Sequence, residues 1–463
     1  MWRVRRIEIM SSSIFERFLS TAEIDAVFGD AAILQGMLDF EAALARAQAK
    51  VGVIPPAVAA PIAQACVADR FDAAAIVAAG SVAGTLAIPL VKQLTAEVAK
   101  TDAEAAGYVH WGSTSQDVID TAMVLATKRA VALIDARVGD LLAAVCVLAE
   151  QHRDVPMLGR TLLQPALVVS VGFKLVSWAA PLQRGRDRLR VAAARALKLQ
   201  LGGAVGTLSV MGDKGPAVAQ HMATQLQLGH APGNWHTQRD EWVSLGCEVG
   251  ILCGTLGKIA ADISLLAQSE VAEVAEPSGG GRGGSSAMPH KRNPVASMTA
   301  LAASLRTPHR VAALLSAMPQ QHERGLGNWQ AELAEWPALF VSAHGAANAL
   351  ADAVAGLSVD TARMRRNIDA LQGLVFAEGA SMLLAEHIGK SRAHALLEAC
   401  SREVVAEQRP LLDVTLAAVA ADAELRTKVS TDALRAVFDA DATARRASAL
   451  AQPQWDTIRN ALS

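Results

Sequence analysis

The chain is 463 residues long, too long for one core and enough for two to four domains or subdomains. Hydrophobic residues make up 52% of it but aromatics only 4%, so the interior must be aliphatic, a composition that favours helices over strands. The formal net charge of −2 argues against a general nucleic-acid or membrane-surface partner.

The opening residues, MWRVRRIEIM, carry arginines but no apolar stretch of the kind a secretory signal needs. Met10, followed by Ser11, Ser12 and Ser13, offers a second start. The most apolar run is read as Leu167 to Leu182, which Lys174 interrupts and which is too short to cross a bilayer. Cys66, Cys146, Cys247, Cys253 and Cys400 show no CxxC or zinc-like pairing. That fits buried free thiols in a reducing, cytoplasmic setting and calls for no metal.

Ser20 or Thr21 predicts a helix cap, after which Ile33, Met37, Phe40, Leu44 and Ala47 recur at spacings of three and four. Gly52 and the Pro55-Pro56 pair end that amphipathic helix. Short helices follow over 60–79 and 88–99. In YVHWGSTSQDVIDT (108–121), hydroxyl residues at 113, 114 and 115 precede Asp117. This reads either as a loop whose helix N-terminus favours an anion or as an ordinary helix cap. A long helix is expected through Gln151. GRTLLQPA (159–166) then combines Arg160, Thr161 and Gln164 before another apolar stretch. The glycine-rich LGGAVGTLSVMGDKG (201–215) lacks both a GxxxxGK[ST] spacing and a preceding strand, so it is not read as a nucleotide loop.

Leu252, Leu256, Ile259, Ile263 and Leu266 form the seam of a bundle helix. It leads into GGGRGGSSAMPHKRNP (279–294), where five glycines give backbone freedom and Ser285, Ser286, His290, Lys291, Arg292 and Asn293 give chemistry. Pro294 is expected to open the next helix, to about Met318, and QQHERGLGNWQAE (320–332) begins another. Helices this long and apolar suggest burial against partner subunits. Beyond about Asp360, Gly373, Gly379, Gly389 and Pro410 are expected to break a helical C-terminal domain. The division is 1–114, 115–358 and 359–463.

A serine hydroxyl needs a setting that stabilises its alkoxide before it can transfer a proton. Glycine-rich backbone amides, Lys291 and a helix N-terminus could supply it for Ser286. No GxSxG elbow surrounds Ser286, so an acyl-transfer nucleophile is the weaker reading.

GSSAMPHKRNP (284–294) fits the GSSxMPxKxNP signature of the fumarase/aspartase superfamily at every specified position, and TSQD (114–117) and GRTLLQPA resemble its two other blocks in order. The resemblance implies an all-α homotetramer of three-domain subunits whose central long helices form a shared bundle. It also implies active sites drawn from three subunits, with no cofactor and no metal. It makes Ser286 the proton-transfer residue, with Lys291 and Asn293 binding the carboxylate that takes up negative charge. Thr114, Ser115 and Gln164 would add polar contacts, His110 and Met288 would line the pocket, and Arg160 and Arg324 would pair with carboxylates. His290 and Arg292 are as well explained by holding the loop.

Adenylosuccinate and argininosuccinate lyases carry histidine where this chain has Leu162, which cannot donate a proton to a departing amine. A leucine is tolerable if the leaving group is a carboxylate. HWGSTSQDVIDTA (110–122), AIPLVKQL (87–94) and HTQRDEW (236–242) also resemble bacterial superfamily members that lactonise a tricarboxylate in protocatechuate breakdown. The expected partner is therefore a small polycarboxylate, with no nucleic acid and no membrane. An adenylosuccinate-lyase-like C–N lyase and an inactive helical scaffold are the alternatives.

Overall fold

Alanine- and leucine-rich segments bury one face each, and the chain folds as helices joined by loops, with two two-stranded ribbons among the described residues. The computed structural model describes residues 14–288 and 290–462. The second start at Met10 and the signature's Pro289 lie outside them.

Thr21 caps Ala22–Val27, its side chain accepting from Ile24 N. Gly29 then divides the expected first helix. The second piece, α1 (Asp30–Val51), buries Met37, Phe40, Leu44 and Ala47, leaves Ile33 half-buried, and stops at Gly52 with φ 76°. The short helices expected over 60–79 are Ala59–Ala65 and Ala73–Ala83. Asp72 restarts the second by accepting from Ala75 N at 3.1 Å.

The long helices fall close to expectation: α2 (Ser115–Gln151), α3 (Val171–Ala196), α4 (Asp240–Ala267), α5 (Val295–Ala317) and α6 (Asn328–Ala355). All five seam residues of α4 are buried. GRTLLQPA holds a surprise for an otherwise helical chain. It forms an antiparallel hairpin of β1 (Pro156–Thr161) and β2 (Gln164–Ser170), with Thr161 opposite Gln164. Leu162 and Leu163 make the two-residue turn at φ 51° and 65°, where Asn-Gly is the usual signal. Leucine at both positions hid the turn.

The chain folds into two compact units. Unit 1 comprises Met1–Gly139, Arg184–Gly257 and Thr299–Ala349; unit 2 comprises Asp140–Gln183, Lys258–Met298 and Leu350–Ser463. Unit 1 has an aliphatic core around Leu38, Phe40, Leu44, Leu90, Leu94, Val118 and Met222. In unit 2, Leu384, Leu397, Leu411, Leu425 and Leu434 form one cluster, and Leu158, Val168, Ile368 and Phe376 another. Gly373 (φ 84°) and Gly389 (φ 77°) break helices as expected. Gly379 does not. It lies inside Ala377–Ile388, where an added Cβ would come 3.0 Å from Val437 Cγ1, so it serves close packing.

Leu167 to Leu182 is not the most apolar long segment. By length and composition alone, α4 and α6 are long and apolar enough to cross a membrane, with 50% and 67% of their most apolar windows buried inside the protein. Apolar residues on several sides are also what a core helix needs, and α6 carries Glu332 in a buried ion network. All five cysteines are free; Cys66, Cys253 and Cys400 are buried, and Cys146 and Cys247 half-buried. Burial pushes the Cys253 thiol up to about 12, which keeps it unreactive.

Candidate active-site segments

In unit 1 the HWGSTSQD segment is anchored by Asp117, in the first turn of α2. Its carboxylate reaches back to Thr114 N at 3.1 Å, as in a capping box. It also accepts from Gly202 N and Gly203 N, both at 2.9 Å, and lies 2.7 Å from His236 Nε2. The glycine-rich 201–215 loop therefore packs on a carboxylate of the protein itself. An added Cβ at Gly202 would sit 2.8 Å from both Asn234 Cβ and His236 Cε1. With Asp117 saturated, Thr114 and Ser115 stay half-buried at the helix start. Arg324 crosses to them, donating from Nη1 to Thr114 Oγ1 at 3.1 Å and from Nη2 to Ala204 O at 3.1 Å. His110, at φ 59°, places Nδ1 2.6 Å from Glu41 Oε1. Unit 1 thus gathers His110, Thr114, Ser115 and Arg324 around one helix N-terminus, a setting suited to a carboxylate.

In unit 2, Glu273–Glu276 deliver the chain to the glycine loop. Glu276 accepts from Ala296 N at 3.0 Å and from Ser297 N and Oγ at 2.9 and 2.7 Å, capping α5, which starts at Val295, one residue after Pro294. Gly279, Gly280, Gly281 and Gly283 all take positive φ. Asn293 N donates to Gly283 O at 2.8 Å, closing the loop on itself. Ser285 Oγ accepts from Met288 N at 3.1 Å and shapes the turn. Arg292 donates to Ser278, so it holds the loop. Ser286, Met288, His290 and Lys291 are exposed, and Asn293 is half-buried.

The hairpin tip stands apart in character. Leu162 is 97% exposed, and Gln164 beside it is exposed too. Arg160 does not offer a free charge. Its two terminal nitrogens grip the buried Glu273 at 3.0 and 2.7 Å, and Asn367 shares that carboxylate at 2.8 Å. The hairpin base is pinned by this pair.

Residues 7–306 match a family described as lyase. The 3-carboxy-cis,cis-muconate cycloisomerase of Bradyrhizobium diazoefficiens is 48% identical, over 92% of this chain and 94% of that protein. The chain belongs to the lyase family. The enzyme of the same name from Pseudomonas aeruginosa is 45% identical over 93% of each protein. The crystal structure of 3-carboxy-cis,cis-muconate lactonizing enzyme from Pseudomonas putida superposes with TM-score 0.90 and 41% identity, covering 98% of this chain and 100% of that one.

In this lyase-family chain several structural partners of these segments went unread in the sequence: Glu41, Glu273 and Glu276, while His236 was noted only within HTQRDEW. Glu41 is an acid on an otherwise aliphatic helix face, and that was its available signal. The loop closure gives a direct test. At Gly283 (φ 64°) an added Cβ would lie 2.5 Å from Asn293 O. Gly283→Ala should lower kcat/KM by roughly tenfold or more, since small misplacements of catalytic groups cost such factors, while the thermal midpoint stays near that of the parent. Unchanged kcat/KM would show that loop closure does not position the site.

Proposed function

We propose that this chain lactonises 3-carboxy-cis,cis-muconate, adding one substrate carboxylate anti across a double bond. The observation carrying this is near full-length similarity to relatives of that name. The carboxylate oxygen forms the new C–O bond, and the π electrons move into the neighbouring carboxylate, held as an aci-carboxylate by Lys291 and Asn293. The Ser286 hydroxyl gives its proton to the adjacent carbon, and the alkoxide, stabilised by loop amides and Lys291, regains a proton from water. His110, Thr114, Ser115 and Arg324 receive another carboxylate, while Gln164 and Met288 contact the substrate. Leu162 fits because no amine needs protonation. Arg160 serves by fixing the hairpin.

Assembly as a homotetramer, each site taking segments from three protomers, accounts for apolar side chains left exposed along the long helices. Phe173, Val191, Ile251, Leu265 and Leu305 are examples. In that assembly 1–114, 115–358 and 359–463 act as the three domains. Five unpaired cysteines support a cytoplasmic setting. Purified protein mixed with 3-carboxy-cis,cis-muconate, and separately with adenylosuccinate, should change the absorbance of the first alone. Turnover of adenylosuccinate but not carboxymuconate would overturn the reading.

A further inference from the structure

The α1 helix turns an aliphatic stripe to the core of unit 1, yet two core-facing positions are polar. Glu41 is 1% exposed and Gln48 fully buried. They lie seven residues apart and so share a face. Both reach consecutive residues of one loop. Gln48 Nε2 donates to Trp111 O at 2.7 Å, and Glu41 Oε1 lies 2.6 Å from His110 Nδ1. Glu41 Oε2 and Gln48 Oε1 are buried with no hydrogen-bond partner. Burying an ionised carboxylate without a counter-charge is costly, and the ion pair Glu41 makes is with His110. This exceeds what holding a loop requires, since Gln48 alone ties it down through a neutral hydrogen bond.

We propose that Glu41 is the positioning residue for His110, fixing the ring through Nδ1 and holding it as a cation whose Nε2–H meets a substrate carboxylate. A bond to one ring nitrogen directs the other, and a 2.6 Å contact fits a charge-assisted bond. The charged groups around the ring are Glu41 from α1 and Asp117 from α2, with Arg324 joined to the same loop through Thr114. Burial lowers the His110 pKa, but the charge and hydrogen bond of Glu41, with the charge of Asp117, outweigh it and leave the ring above its ordinary value. The assignment rests on the proposed substrate-binding place of His110 and gives that place a charge and a direction.

The test begins without substrate. In histidine-labelled protein the His110 ring resonance, assigned by its loss in His110→Gln, is titrated by NMR in the parent and in Glu41→Gln. The parent ring should be protonated at pH 7, and the variant's midpoint should fall by about one unit, a tenfold loss of proton affinity. A parent ring neutral at pH 7, or an unmoved midpoint in the variant, overturns the proposal. If Glu41→Gln does not fold, the parent titration decides alone. With 3-carboxy-cis,cis-muconate, Glu41→Gln should raise KM by a factor that grows to roughly tenfold as pH rises above the parent ring's midpoint, with kcat within about twofold, the same proton-affinity loss read through binding. A merely structural glutamate would lower the thermal midpoint and leave the titration where it was. Because the titration involves no substrate, it stands whichever polycarboxylate the enzyme turns over.

Discussion

Ser286→Ala is expected to lower kcat by roughly 10²–10⁴-fold, the usual worth of a positioned proton-transfer group, while leaving the fold unchanged. The stability half of that expectation follows from its place. Ser286 is exposed in the glycine loop, and surface substitutions away from special features stay within about 0.5 kcal/mol. The catalytic half follows from chemistry. A serine at its ordinary acidity is a poor acid and a poor base, so it works only where its alkoxide is stabilised. Ser285 provides the internal control. Its hydroxyl accepts from Met288 N at 3.1 Å and Ala287 N at 3.4 Å, so it shapes the turn. Ser285→Ala should therefore raise KM and lower kcat together, but less steeply than the neighbouring change. Steady-state rates and thermal midpoints for both variants settle the matter, and near-parental turnover in Ser286→Ala removes it from the mechanism.

The long helices were legible because their signal is periodic. Leu252, Leu256, Ile259, Ile263 and Leu266 mark a buried seam that needs no further context. The same holds for the Gly52 stop, whose left-handed φ suits glycine. The hairpin was illegible for the converse reason. Its turn residues, Leu162 and Leu163, adopt a conformation that leucine disfavours, so local propensity pointed elsewhere and the surrounding fold overrode it. In the candidate segments, the glycine loop and the hydroxyl cluster stood out by composition alone. Charge pairing was hidden. Arg160 reads as a free carboxylate clamp until Glu273, more than a hundred residues away, is seen to hold it. Long-range ion pairs leave no trace in local spacing.

The most damaging single change expected in unit 1 is at Arg239. Its side chain is 1% exposed. Nη1 donates to Asp120 Oδ2 at 2.8 Å, Nε donates to Glu332 Oε2 at 3.1 Å, and the guanidinium carbon sits 4.6 Å from the centre of the Trp235 ring. Asp120 also accepts from Trp329 Nε1 at 2.9 Å and from Gln116 and Gln200, each at 3.2 Å. Arg239 is thus the cation between two buried carboxylates that also tie α2 to α6. Arg239→Met leaves both without it, and breaking a buried pair from one side costs about 3–5 kcal/mol, a large share of the 5–15 kcal/mol typical of a folded protein. Burial already raises the Glu332 pKa against the pull of Arg239. A carboxyl raised in the folded state contributes stability below its unfolded pKa and loses it as pH rises through the folded value. Removing Arg239 lifts Glu332 further, so the variant's deficit should be larger at pH 8 than at pH 5. Denaturant midpoints at the two pH values measure this. Adding Asp120→Asn and Glu332→Gln to Arg239→Met should recover part of the loss, because the penalty lies in unpaired charge rather than in lost volume. A single variant with a parental midpoint at pH 8 would show that the network contributes nothing to stability.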